Sequence, residues 1–207
     1  MANSNHLKIV VVNSAAAPAG AGRAAHRQAE RAKVLRIGLL DTRYNIIAAL
    51  PPNADLAAQI GQLRPDVIII DGRSDAVLKK VIAATAETKR PIVCFAEDDN
   101  WDSMHTAIEA GVSAYVVAGL SADRIKAVLD VAIARFEVDR KLRDELAETR
   151  RKLAERKVIE RAKGLLMERH RCTEDEACRM LRRLAADKNL KLPNVAQQAL
   201  DVAGLLM

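Results

Sequence analysis

Short apolar runs alternate with longer amphipathic stretches over the first 120 residues of the chain. The apolar runs are rich in Val and Ile and predict strands at residues 7–12, 44–50, 67–70, 91–95 and 114–117. The stretches between them have helical periodicity and predict helices at residues 25–40, 55–63, 76–88 and 101–110. This alternation favours a doubly wound α/β domain, with a five-stranded parallel sheet and helices on both faces. The carboxyl ends of the strands then meet at one edge, where such folds place their sites.

A different pattern begins at Ser121, because no proline or glycine interrupts the chain again before Gly164. This predicts one continuous helix of more than forty residues. Four seam positions recur within it at spacings of four, three and four, and they are Leu142, Leu146, Thr149 and Leu153. Such a heptad seam indicates a parallel or antiparallel dimer contact through a coiled coil. The alternative is a lone charged helix that only spaces two domains, and the charged Asp139, Arg143 and Arg150 on or beside the seam make any coiled coil imperfect.

Two shorter helices are predicted after the long one. The residues from Thr173 to Glu176 form a capping box that begins the first of them. The apolar face of that helix carries Ala177, Leu181, Leu184 and Ala185. Asn189 ends it, and Pro193 opens a last helix whose apolar stripe is Val195, Ala196, Ala199, Leu200 and Ala203. With residues 158–167, where Met167 is expected in the core, they make a three-helix unit, so the predicted domains are residues 1–120, 121–156 and 157–207.

Composition narrows the classes of function. Only 2% of the residues are aromatic, which argues against binding of single-stranded nucleic acid on an aromatic stacking platform. No run approaches the roughly 18 apolar residues that cross a bilayer, and the polar start lacks the order of a signal peptide, so a cytoplasmic location is predicted. Cys94, Cys172 and Cys178 form no CxxC pair, and we expect incidental thiols, no metal site and no cofactor.

The net charge of +6 is unevenly distributed. Residues 1–120 hold 13 Lys and Arg against 12 Asp and Glu, whereas residues 121–207 hold 20 against 15. The positive excess therefore lies mainly in the C-terminal part, which is compatible with a polyanionic partner.

Four short motifs follow one another in this C-terminal part. They are Ala162-Lys163-Gly164 with Met167, then residues 173–177, then Leu181-Arg182-Arg183 with Ala185, and finally Val195-Ala196. Together they closely resemble the ANTAR domain, the RNA-binding output module of the amidase and nitrate-assimilation antiterminators. The resemblance implies that RNA is bound by Lys157, Arg161, Lys163, Gly164, Arg179, Arg182, Arg183 and Lys188. Taken singly, these features have plainer explanations: Ala162 and Gly164 are small to allow helix packing, and the arginines form an ordinary solvated face.

The N-terminal part resembles a response-regulator receiver domain, most closely that of the NasT type. The segments that carry the resemblance are residues 65–71, 97–99 and 111–117, with Asp71 at the position of the phosphate acceptor. Receivers also carry acidic metal ligands after the first strand, a hydroxyl after the fourth and a lysine after the fifth. Asn13 and Ser14, Ala96, and Ala118 stand at those positions. The alternative to an acceptor is a structural carboxylate, so we interpret the domain as a pseudo-receiver in which Asp71 is unused.

The resemblance implies a regulator without enzymatic activity. It would bind hairpin RNA in leader transcripts, promote read-through of nitrate and nitrite assimilation genes, and be controlled by a nitrate-sensing NasS-type partner and not by phosphorylation. Two alternatives are a protein-interaction scaffold, in which the basic excess is incidental, and a phosphorylation-dependent response regulator. A DNA-binding regulator is disfavoured because no helix-turn-helix with a recognition helix is evident.

Overall fold

A computed structural model describes residues 6–13, 22–40, 42–72, 75–96, 100–117 and 120–204. The chain divides into two compact units, an N-terminal unit, Met1–Asp139, and a C-terminal unit, Arg140–Met207. Three features named above, Ser14, residues 97–99 and Ala118, lie outside the described residues.

The described elements follow the predicted order. The strands are β1 (Leu7–Asn13), β2 (Tyr44–Leu50), β3 (Val67–Asp71), β4 (Ile92–Ala96) and β5 (Ala114–Val117). The helices are α1 (Gly22–Gly38), α2 (Leu56–Leu63), α3 (Asp75–Ala84), α4 (Trp101–Glu109), α5 (Ala122–His170), α6 (Glu174–Asp187) and α7 (Leu192–Gly204). Two boundaries differ from prediction by three residues or more: α1 begins at Gly22, and α3 ends at Ala84. After Ala84 the backbone N–H of Thr85 is shared between the carbonyls of Val81 and Ile82, and a turn follows. None of these helices is both long and apolar enough to cross a membrane.

The sheet has the strand order β2-β1-β3-β4-β5, and every neighbouring pair is parallel. Successive side chains of a strand point to opposite faces, so each central strand contributes to two cores. Val10 and Val12 of β1 pack with α2 and α3, whereas Ile9 and Val11 pack with α1 and α5. The predicted receiver-like, doubly wound domain is therefore confirmed.

The helix α5 belongs to both units. Its first turns contribute Ile125, Leu129 and Ala132, all fully buried, to the core on the α1 face of the sheet. Gly38 at the end of α1 approaches the start of α5 so closely that a Cβ there would lie 2.6 Å from the carbonyl oxygen of Ala122. The helix then continues without interruption through Gly164 to His170.

The C-terminal unit has its own small core between the end of α5, α6 and α7. The core residues are Ala162, Leu166, Ala177, Leu181, Val195 and Ala196. Two predictions for this core are wrong, because Leu184 is 40% exposed and Met167 is 37% exposed. A core built from only three helical segments leaves the flanks of each apolar stripe uncovered, and these two side chains lie there. Ala185, by contrast, packs against the core as expected.

Candidate functional site

Asp71 ends β3 at the carboxyl edge of the sheet, between β1 and β4. It lies opposite Asn13 on β1 and Phe95 on β4 in the strand register. The residue is only 6% exposed. A carboxylate removed from water to this degree requires a compensating charge or hydrogen bonds, and these decide what the site can do.

The compensating charge comes from Arg31 in the middle of α1. Its Nε donates to Oδ1 of Asp71 at 2.6 Å, and its Nη2 donates to the carbonyl oxygen of Phe95 at 3.2 Å. The side chain of Asp71 is 4% exposed and that of Arg31 21%. Leu35, one turn later on α1, is buried in the core below and fixes the rotation of the helix that brings Arg31 to the sheet edge. The protein thus neutralises Asp71 with one of its own side chains.

The described surroundings of Asp71 offer no replacement for the missing receiver groups. Asn13 is half-buried and carries no charge, and Ala96 is buried at the end of β4. Cys94 lies beneath, and its pKa is raised to about 12, first by burial and then by the nearby carboxylate of Asp71. Its thiol is therefore neutral and adds no charge beside Asp71.

In the C-terminal unit, α6 begins with the predicted capping box. The backbone N–H of Glu176 donates to Oγ1 of Thr173 at 3.4 Å, and the backbone N–H of Thr173 donates to Oε2 of Glu176 at 2.9 Å. These bonds from Thr173, the backbone one first, lower the pKa of the Glu176 carboxyl. The box fixes where α6 starts and hence the direction of the arginines along it.

Lys163 joins α5 to the start of α6. Its Nζ lies 2.6 Å from Oε1 of Glu174 and 2.9 Å from Oε1 of Glu160, and the side chain is 11% exposed. The hydrogen bond to Glu174, followed by that to Glu160, raises the pKa of Lys163 to about 12. Sequence reasoning missed the pairing of Lys163 with Glu174, because Glu174 is eleven residues away and belongs to a different helix.

The other predicted RNA-binding residues lie on the surface of the unit. The exposed residues among them are Lys157, Arg161, Gly164, Arg179, Arg182, Arg183 and Lys188. Two have polar partners: Arg183 lies 4.0 Å from Asp187, and Lys188 donates to Gln198 at 3.4 Å. The side chains of Lys157, Arg161 and Arg182 form no hydrogen bond or ion pair with another described residue.

A shallow groove at the corner of α5 and α6 is lined by two of these cations, Arg179 and Arg183. Its volume is about 570 Å³, and it is lined by His170, Arg171, Cys172, Glu176, Arg179, Met180 and Arg183. Arg171, which was not predicted as a site residue, ends α5 in the left-handed conformation, with φ of 51°. Nothing in its local sequence marks it, since the groove exists only once α6 has folded back beside α5.

The chain is similar to one protein family and to several known proteins. The ANTAR domain family matches residues 147–199. The transcriptional regulatory protein PdtaR of Mycobacterium tuberculosis strain H37Rv is 31% identical over 151 residues, which cover 72% of this chain and 74% of PdtaR. Among solved structures, the signal receiver domain of a modulated diguanylate cyclase from Desulfovibrio desulfuricans aligns with 18% identity and a TM-score of 0.47, over 64% of this chain and 98% of that one. NtrX from Brucella abortus with ATP aligns with 21% identity and a TM-score of 0.49, over 76% and 35%.

A receiver-like sheet domain followed by a long helix and a small helical unit defines a response-regulator-like protein with an output domain. The sequence identity to PdtaR and the match of the ANTAR family over the last helices show which protein family this is. The chain belongs to the ANTAR-domain family and is related to the transcriptional regulatory protein PdtaR.

Proposed function

We propose that the C-terminal unit binds hairpin RNA in leader transcripts, and that binding lets polymerase read through into downstream genes. The observation that carries this proposal is the group of exposed basic side chains around the small core, three of which have no polar partner among the described residues. A cation without an internal partner is available to a phosphate at little cost. A basic helical surface also suits hairpin RNA, which is recognised by shape, backbone and loop bases.

A titration across salt concentrations tests RNA binding. The full chain is titrated with synthetic hairpins that cover the leader transcripts of nitrate and nitrite assimilation genes in the source genome, with single-stranded poly(A) and duplex DNA as controls. Contacts to several phosphates predict that the logarithm of the affinity falls steeply and linearly with the logarithm of salt concentration. A chain that binds no hairpin above the level of the controls contradicts the proposal.

We further propose that the N-terminal unit is a cytoplasmic pseudo-receiver controlled by another protein and not by phosphorylation. The ion pair between Arg31 and Asp71 supports this, because the cation beside the carboxylate is already supplied by the chain. The partner we propose is a nitrate-sensing protein of the NasS type, with nitrate or nitrite as the signal. Pull-down with the purified sensor, with and without nitrate, tests this part, and nitrate-independent binding would count against it.

The exposed leucines of α5 support self-association. Leu142, Leu146 and Leu153 are each at least 50% exposed, although they are large and apolar. Their spacing is that of a coiled-coil seam, so we propose a homodimer through this stretch of α5. The protein acts without catalysing a reaction.

A protein-interaction scaffold is the second candidate, because the same exposed apolar residues would also suit a different helical protein. The salt titration separates the two, since a scaffold has no reason to show the slope of a phosphate-binding surface. The remaining alternative, a phosphorylation-dependent regulator, is separated by the phosphodonor experiment described in the Discussion.

A further inference from the structure

The contacts and backbone conformation at position 164 do not explain why this residue is a glycine. It lies inside the 49-residue helix α5, where glycine is less favourable than alanine. Its φ lies outside the positive region, and a Cβ built on it would meet no atom within 4 Å. Neither close helix packing nor a special backbone conformation therefore explains it, which corrects the interpretation that Gly164 is small for packing.

The glycine lies on the outer side of the helix. Ala162 and Leu166, two residues before and after it, are buried in the core of the C-terminal unit, and steps of two residues turn an α-helix by about 200°. Gly164 therefore points away from that core. Arg161 and Lys157, one and two turns earlier, lie on the same side of the helix, are exposed, and have side chains without a polar partner among the described residues. Two exposed carboxylates also lie on this side: Glu160, which pairs with Lys163, and Glu168, one turn after Gly164.

The chain contains a second glycine that serves for comparison. Gly61 in α2 is also helical and exposed, and a Cβ there would likewise meet nothing within 4 Å. It lies two residues before the end of a helix of eight residues, and no lysine or arginine precedes it in that helix. The two positions share their local geometry but differ in the charge around them.

We infer that Gly164 is a close-approach site, where the ribose–phosphate backbone of the RNA lies directly against α5. Without a Cβ, the RNA reaches the helix surface, and Arg161 and Lys157 then lie along the strand to hold its phosphates. RNA is the occupant to which the inference commits, because the side chains of Lys157 and Arg161 are cations without a partner among the described residues, and such cations complement a phosphate backbone. The inference rests on the proposed RNA binding and names the part of the surface that makes the closest contact.

The experiment compares Gly164→Ala with Gly61→Ala in the full chain. Each substitution favours helix in an open position, so each should raise the melting temperature of its unit by a few degrees. Gly164→Ala should nevertheless weaken binding of the tightest hairpin from the salt titration by about tenfold, the loss of roughly one good contact. Gly61→Ala should leave the affinity unchanged. Gly164→Ser, which adds a side chain with less gain in helix propensity, should weaken RNA binding as Gly164→Ala does.

Three results overturn the inference in distinguishable ways. If the wild type binds the hairpin and Gly164→Ala binds it equally well, the RNA does not approach the helix here, although the proposed function stands. If Gly164→Ala changes the mass measured by light scattering without RNA, the position belongs to a contact between copies. If the wild type itself binds no hairpin, the proposed function fails first. A more stable variant with weaker RNA binding and an unchanged mass supports the inference.

Discussion

The Nε atom of Arg31 lies 2.6 Å from Oδ1 of Asp71, which joins the middle of α1 to the carboxyl end of β3. This ion pair gives a buried carboxylate the charge compensation that burial demands. One oxygen of the carboxylate at the acceptor position implied by the receiver resemblance is therefore already bonded to a guanidinium. A phosphoryl group on Asp71 would need to displace the guanidinium of Arg31 or share it with the carboxylate. Neither Asn13 nor Ala96 has a charged side chain that could bind a metal ion beside it.

We predict that Asp71 stays unmodified when the chain is incubated with Mg²⁺ and a small phosphodonor such as acetyl phosphate. The measurement is the intact mass, with Asp71→Asn as the control for phosphate at other positions. Stoichiometric phosphate that disappears in Asp71→Asn would show that the domain is a working receiver.

The same pair predicts an asymmetric effect on stability. Arg31→Met leaves a buried carboxylate without its cation and should lower the free energy of unfolding by roughly 2–4 kcal/mol. Asp71→Asn leaves an arginine that is 21% exposed and can turn toward water, so its loss should be smaller. Denaturant unfolding of both variants and of the double variant checks this, and equal losses without coupling between the two residues would contradict it.

The sheet could be predicted from the sequence because its signals are local. Runs such as Val67 to Ile70 are too apolar to be anything but buried, and their spacing with helices between them leaves few topologies. The pairing of Arg31 with Asp71 could not be predicted, because the partners are forty residues apart and nothing around Arg31 distinguishes it from other basic residues of α1. Sequence reasoning identified the groups missing around Asp71 but not the group that replaces them.

A third prediction concerns pH and the N-terminal unit. Asp130 of α5 accepts hydrogen bonds from Lys126, Tyr44 and Arg43 at 2.5–2.8 Å, and these bonds, that from Lys126 first, lower its pKa to about 2. A folded pKa below the unfolded value of 3.8 stabilises the fold above about pH 4, and that contribution is lost as the pH falls toward 2.

Asp130→Ala should therefore lower the free energy of unfolding by about 1 kcal/mol at pH 7, a value reduced by solvent screening of this partly exposed cluster. The difference from the wild type should shrink between pH 4 and pH 2. Asp55→Ala is the control, because Asp55 makes no side-chain capping bond. A difference that is the same at pH 2 and pH 7 would mean that the carboxylate charge contributes nothing.

A fourth prediction concerns assembly. Leu146 and Leu153 are 50% and 54% exposed, so replacing both with lysine should not disturb the fold of a single chain. In a coiled coil the same change buries charge in the seam and should weaken self-association. Light scattering measures the mass, and Val202→Lys, which changes an exposed apolar residue of α7, is the control. An identical mass for the wild type and the double variant would show that α5 is only a spacer.

The small C-terminal core illustrates a different limit of sequence reasoning. Its capping box and most of its buried positions follow from helical periodicity, because the spacing fixes which side chains share a face. How far the neighbouring helices cover that face depends on their crossing, which periodicity does not contain. Leu184 and Met167 are exposed for this reason, and Lys163 is turned toward Glu174 instead of outward.

The last prediction separates the two roles of the basic residues in this unit. Lys163 holds Glu174 and Glu160, so Lys163→Met should lower the melting temperature of the C-terminal unit and weaken RNA binding as a consequence. Arg182 and Arg183 are exposed, so Arg182→Ala with Arg183→Ala should leave the melting temperature near that of the wild type.

Each arginine that contacts a phosphate should contribute roughly one unit to the salt slope, so the double variant should lose about two units together with its affinity. Circular dichroism melting and salt titration with the same hairpin provide both measurements, and Glu174→Gln serves as the control that weakens the ion pair of Lys163 without removing a cation. If Lys163→Met melts like the wild type but loses one unit of slope, Lys163 contacts the RNA directly and its ion pairs yield when RNA binds. If the double arginine variant keeps the full salt slope, the phosphate contacts lie elsewhere. Lys157 and Arg161 on α5 are then the next residues to replace, because their exposed side chains have no polar partner among the described residues.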